Sequence, residues 1–350
     1  MARNIKKANP VNQMIAIVIF IVLIILITAA VKLLGNKKPV AELTQPTAEV
    51  TEEKKCEVRS PLDGVCDKEG QLKVAAVMID NHGDAQPTFG VNDASVVYET
   101  IAELPITRWV AVFDLRNSVS QIGPIRSARP YYVDWASEYR GVYAHVGGSD
   151  ESLALLKNRP VDDLNEFYND KYFWRDNGRL APHNTFISTN LLNKAIDDKG
   201  WTTGTFDSWK FKDDMVVDQR PEAQQILVDY KSNLYNVTWE YDRTDNMYTR
   251  KQLGAVRTDG AGQAIKAKNV IVMIADSDII DSYGRRSTQT IGTGQAEICR
   301  DGVVIAGTWS RPTLKDRTKF FDTAGQEVEL NAGLTWINVV PSHFPGAIIK

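Results

Sequence analysis

Two arginines three residues apart, Arg126 and Arg129, follow a Gly-Pro turn in Gln121-Ile-Gly-Pro-Ile-Arg-Ser-Ala-Arg-Pro130. The chain then returns through Tyr143-Ala-His-Val-Gly-Gly-Ser149. A guanidinium offers a planar fork of donors to a carboxylate or phosphate, and Gly147 and Gly148 let backbone N–H groups come close to a ligand. Together these segments are candidates for an anion site. The competing reading is that both arginines pair with carboxylates inside the domain and the glycines only turn the chain, since structural ion-pair networks imitate sites. Three of the four histidines fall between residues 61 and 212: His82 in Asp80-Asn81-His82-Gly83, His145, and His183 in Pro182-His-Asn184-Thr185. Each lies in or beside a turn at a strand end, so Arg126, Arg129, His145 and His183 are expected to converge on one cleft. Arg108 and Arg175 are further candidate cationic contacts.

Ser127 and Ser149 are the hydroxyls a histidine base could activate, with Asp80 or Glu99 orienting the imidazole. Ser149 has a simpler role as a helix N-cap, and no Gly-x-Ser-x-Gly elbow occurs, so no catalytic residue is assigned. The histidines, with Asp80, Glu99 or Glu103, contain the ligand types of a metal site. Their spacing is dispersed and nothing like His-Glu-x-x-His is present, so no metal is assigned and the cofactor is left open. Tyr168, Tyr172, Phe173 and Trp174 precede Arg175, and Trp201 and Trp209 follow; they form either a stacking platform or a core edge.

Gly123-Pro-Ile-Arg-Ser-Ala-Arg129, His145-Val-Gly-Gly-Ser149 and Pro182-His-Asn-Thr185 resemble the signature of the YerB-like family of bacterial envelope proteins. So do Arg300-Asp-Gly302, Gly307-Thr-Trp309 and Gly333-Leu-Thr-Trp-Ile337. That family is a domain of unknown function with N- and C-terminal parts. The resemblance covers nearly everything after the N-terminal segment, and implies a fold family and an envelope location without a reaction. Many members are lipoproteins. Here no cysteine stands directly after the apolar run, and Cys56 lies far beyond it, a departure from the lipoprotein pattern that counts against lipid attachment.

The elements that must position these residues begin with an anchor. From Met14 to Val31 no residue is charged, and at about 1.5 Å per residue such a helix is about 27 Å long, close to the hydrocarbon core of a bilayer. The sequence thus predicts a cytoplasmic tail at 1–13, a single-pass transmembrane anchor at 14–34 and an extended linker at 35–60, with cleavage after Ala30 as the rival. The bulk of the chain is placed outside the cytoplasm, where Cys56 and Cys66 are expected to pair, and Cys299 is read as an inert buried thiol. A net charge of −3 over 350 residues, without a basic run beyond the anchor flanks, argues against nucleic acid.

Residues 61–212 read as a mixed α/β domain. Strands are expected at 73–79, 95–102, 108–113, 142–146 and 185–187, and helices starting at Pro130, running from the Ser149 cap to about Lys157, and from Ser188 or Thr189 to Lys199, stopped by Gly200. Residues 213–350 read as a mainly β domain, a sandwich or open barrel, with Gly292-Thr-Gly294 as a turn or bulge. The function expected is a membrane-anchored extracytoplasmic envelope protein. Its Arg/His-lined cleft would bind an anionic or glycan ligand, such as a cell-wall polymer, or a partner protein of the envelope. The alternative is a cell-envelope hydrolase or transferase using histidine and carboxylate residues.

Overall fold

The computed structural model describes residues 10–35, 56, 58–103, 105–202 and 204–350. They belong to two compact units, divided between Lys55 and Cys56. In the first, α1 (Pro10–Gly35) is a 26-residue helix with no acidic residue in its first turn and Lys32 in its last. Its described side chains are exposed, and they run without a break only from Ile17 to Ala30. Among the described residues no helix is long and apolar enough to cross a membrane. The span expected at 14–34 is therefore not established by the fold. Of the tail expected at 1–13, residues 10–13 belong to α1, and residues 1–9, with most of the linker at 35–60, lie outside the described residues. Cys56 and Cys66 form the expected disulfide.

In the second unit the three apolar runs become β1 (Val74–Asp80), β2 (Val96–Glu103) and β3 (Ile106–Asp114). All of β1 is buried; a strand covered on both faces reads as a continuous apolar run rather than an alternation. Pro130 opens α2 (Pro130–Ser137) as expected, its missing N–H costing nothing in the first turn. Then come β4 (Val142–His145), α3 (Asp150–Leu156), β5 (Asp162–Asn165) and α4 (Glu166–Asn169). The Ser149 side chain caps α3 by accepting the Ser152 N–H. A two-residue pair, β6 (Trp174–Arg175) with β7 (Thr185–Phe186), leads into α5 (Thr189–Lys199). Ser188 caps that helix, and Gly200 ends it at φ 65°, a left-handed conformation that favours glycine.

The two halves of the chain share one sheet. Ten strands run in the order Lys319–Asp322, Val303–Arg311, Gly292–Arg300, Asn269–Ala275, Thr335–Pro341, β2, β3, β1, β4, β5. At the seam β2 pairs in parallel with Thr335–Pro341, Val96 opposite Thr335 and Glu99 opposite Asn338. A second sheet of six strands contains Val237–Asp242, Met247–Gln252 and the C-terminal Gly346–Ile349. The C-terminal half is thus mainly β as expected. It does not close on itself as a sandwich or barrel, because its longest strands extend the α/β sheet. Gly292-Thr-Gly294, expected as a turn or bulge, opens a nine-residue strand. A side chain at Gly294 would meet the Trp309 indole at 2.5 Å, so a close approach requires the glycine there.

Candidate functional site

The chemistry gathers where β1 ends. Asp80, 1% exposed, accepts the His82 N–H on Oδ1 at 2.9 Å and faces His183 Nδ1 from Oδ2 at 2.6 Å. With Nδ1–H donated to that carboxylate, neutral His183 carries its lone pair on Nε2. Arg126 follows a turn that is stitched onto the end of β1 by the Asp80 N–H to the Pro124 carbonyl and the Arg126 N–H to the Met78 carbonyl. Its Nε lies 3.2 Å from Asp80 Oδ2 without aligning a hydrogen bond, and Nη1 donates to the Pro182 carbonyl at 3.5 Å. Most of its five-donor fork is therefore without a protein acceptor. Burial pulls the Arg126 pKa down, with Asp80 opposing and Arg108 reinforcing that shift. The His82 and His183 rings stack, centroids 4.9 Å apart. His82 Nδ1 accepts the Asp84 N–H at 3.2 Å and lies 3.5 Å from the Asp84 carboxylate.

Other expected members lie in different company. Arg129 turns away from Arg126 and pairs with Glu103, which also takes Arg108 at 3.0 Å. Here the competing reading of internal ion pairing holds. Glu103 lines a cleft of about 390 Å³ with Tyr283 and Arg285. His145 is fully buried, held by the Gly147 carbonyl at 2.7 Å and Asp163 at 2.8 Å. It braces β4 against β5 and takes none of the contacts of His183. The Gly147 N–H donates to Asn165 Oδ1 at 3.0 Å, and a side chain at Gly148 would meet Ser152 Oγ at 2.5 Å. The glycine pair therefore serves packing rather than an open anion cradle. Ser149 is an N-cap, and half-buried Ser127 offers its carbonyl to Arg108 at 3.4 Å. Glu99 is wholly internal. It accepts from Thr107, Arg250 and the Trp336 indole at 2.9 to 3.0 Å, while Trp109, Trp239 and Trp336 enclose the Arg250 guanidinium. Asn81 joins this core to the site loop by donating to Thr107 Oγ1 at 2.7 Å.

A chain of contacts carries the face around Arg126. His183 is followed by Asn184, whose side chain accepts from Arg175 at 3.1 Å; Arg175 also pairs with Glu166 at 2.7 Å. Next to Glu166 stands Phe167, whose ring covers Gly147, and the Val146 N–H returns to the Arg126 carbonyl. Phe167, Tyr168 and Leu180 stay exposed on these segments. Tyr172 and Trp209 are core residues instead. Phe167 and Asp84 were missed in the sequence; the only signal for Asp84 is its position two residues after His82, and Phe167 has none. Wide clefts of about 1030 and 760 Å³ lie elsewhere, lined by Lys68, Arg116 and Lys266 in one and Glu240 and Arg243 in the other. Cys299 is buried, and burial pushes its thiol pKa up, as an inert thiol requires.

Comparison with known proteins places these residues in a family. The model for the N-terminal domain of the protein of unknown function DUF3048 matches residues 63–202, and that for its C-terminal domain matches residues 226–337. The chain is 29% identical over 314 residues to "Putative lipoprotein YerB" of Bacillus subtilis (strain 168), covering 84% of this chain and 89% of that relative. The crystal structure of the YerB protein from Bacillus subtilis is similar at a TM-score of 0.74 and 27% identity, over 84% of this chain and 100% of that one.

Proposed function

The chain belongs to the DUF3048 family, and on that premise we propose that it is a membrane-anchored envelope protein that binds an anionic, glycan-bearing ligand on the face around Arg126. One observation carries the reading: a half-buried guanidinium leaves most of its fork unused, while Phe167, whose ring covers Gly147, and its neighbour Tyr168 stay exposed on a segment tied to the Arg126 backbone through Val146. Arginine provides bidentate recognition of a phosphate or carboxylate, and the aromatic faces suit sugar rings. A wall polymer bearing such groups fits both. The lipoprotein name of the YerB relative supports an envelope location. This chain's three cysteines are Cys56, Cys66 and Cys299, so attachment rests on the apolar segment at 14–34 as a single-pass anchor rather than on a lipid. Protease added to intact spheroplasts should digest the chain beyond the anchor; full protection would reverse this topology.

Arg126→Lys tests the ligand reading, because an ammonium keeps the charge but not the fork. Affinity for a phosphate-bearing wall polymer should fall about tenfold or more, with the melting temperature unchanged. Arg129→Lys should do the opposite, lowering stability while leaving the affinity of the folded protein intact. Equal affinity in parent and Arg126→Lys refutes the site. The alternative of an envelope hydrolase or transferase has one observation in its favour, the Asp80-oriented His183 that a general base needs. Among the described residues neither His82 nor His183 hydrogen-bonds to a serine or threonine hydroxyl through its ring. Binding without turnover is accordingly preferred.

A further inference from the structure

We propose that His82, Asp84 and His183 form a site for a divalent transition-metal cation of the zinc class, with Asp80 as the residue that positions His183. One ligand atom from each of the three lies within 4.8 Å of the others. Two imidazoles and a carboxylate are the donor set that zinc takes at about 2.0 to 2.2 Å, and three protein ligands leave a tetrahedral cation one position for water or an anionic group. The contact beneath the cluster gives it direction. A metal-ligating histidine ordinarily donates its other ring N–H to a carboxylate, which fixes the tautomer and raises ligand basicity. The buried Asp80 carboxylate does this for His183 at 2.6 Å, leaving Nε2 to the cation.

Ligands around a tetrahedral zinc stand roughly 3.4 Å apart, so the three must close together on binding. The side chains that have to move are the more exposed ones, and His82 gives up its stack on His183 to do so. His82 is 36% exposed and Asp84 78% exposed, whereas His183 and Asp80 are held by each other. The rings are stacked at an interplanar angle of 16°, and each lone pair lies in its own ring plane, so His82 turns out of the stack to meet the cation. Local charge favours it. Asp80 and Asp84 contribute two negative charges against one from Arg126, and Arg179, whose Nη1 reaches the Ala85 carbonyl, is paired with Asp176 at 3.4 Å. The sequence hides this site because 101 positions separate His82 from His183, beyond any local ligand spacing. The site stands independently of whether the Arg126 face binds an anion.

The test is titration of the full, tag-free chain in detergent with zinc chloride by calorimetry, and with cobalt chloride by visible absorption. One equivalent of zinc should bind with micromolar or tighter affinity, and cobalt should give d–d bands. His82→Gln, at a half-buried position, and Asp84→Asn, at an exposed one, should weaken zinc binding about tenfold to a hundredfold with an unchanged circular dichroism spectrum. Asp80→Asn should weaken it by a similar factor through His183. His183→Gln should abolish it, and if that variant does not fold, the His82 and Asp84 variants decide. Absence of zinc binding in the parent, or equal affinity in His82→Gln and Asp84→Asn, overturns the site.

Discussion

Asp301 shows how much a single buried carboxylate can hold. Burial by itself would raise its pKa, yet hydrogen bonds from Lys212, Asn246, Asn331 and the Met215 N–H hold it well below the usual carboxylate range. Below about pH 3.9 the unfolded carboxyl takes up a proton that the folded one still refuses. The unfolded state then binds more protons, so the stability contributed by Asp301 is complete above that pH and is lost as pH falls toward the folded value. Asp301→Asn should cost about 1 to 3 kcal/mol at neutral pH, the scale of hydrogen bonds to a charged group. It should also flatten the acid limb of stability below about pH 4, read from urea midpoints. Parallel acid limbs in parent and variant would assign the effect to another group. In the sequence Asp301-Gly302 is legible only as a hairpin turn, and the turn is there, Asp301 at φ 53° and Gly302 at φ 70°. The carboxylate hub is not legible, since its partners come from 212, 246 and 331. Glu99 repeats the lesson: residue type made it a candidate orienter, while its partners Arg250 and Trp336 lie more than 150 and 230 positions away.

At the scale of elements the local rules carried far. Ser149, Ser188 and Gly200 mark helix ends because a hydroxyl satisfies an orphan N–H and glycine accepts positive φ, interactions complete within a few residues. Pro130 opens α2 for an equally local reason. Strands escaped notice where the pattern lacks a continuous apolar run. β5 is Asp-Asp-Leu-Asn, with only its last two residues buried, and its stability comes from lying parallel to β4. The hairpin of Ser277–Ile279 with Arg286–Thr288 is short and polar on one side. The candidate site divides along the same line. The loop after β1 and the turn before β7 were identifiable as places for chemistry. Which of them meet was decided by the Asp80 to Pro124 and Arg126 to Met78 backbone bonds, and that geometry joined His183 to Asp80 while leaving His145 in the wall between β4 and β5.

Composition and strand spacing suggest two domains with separate cores, because nothing in either half announces that its sheet continues into the other. The seam shows the coupling. Val96 to Glu99 lie parallel to Thr335 to Asn338, fully paired and buried on both strands. Thr100 Oγ1 donates to the Val339 carbonyl at 2.8 Å, and Glu99 binds Trp336 and Arg250 from the C-terminal half. Separating the halves would expose the edge of β2 and strand an unpaired carboxylate in an apolar setting, where breaking a buried ion pair typically costs about 3 to 5 kcal/mol. Neither half is therefore expected to survive the other's unfolding. Heating the full chain in a calorimeter should give one cooperative endotherm for residues 56–350, with tryptophan fluorescence and far-UV circular dichroism changing together. Substitutions on either side of the seam test this directly: Val97→Ala and Ile337→Ala should each move that single transition as a whole. Two resolved endotherms, with Val97→Ala shifting one and Ile337→Ala only the other, would show that the halves fold as independent bodies despite the shared sheet.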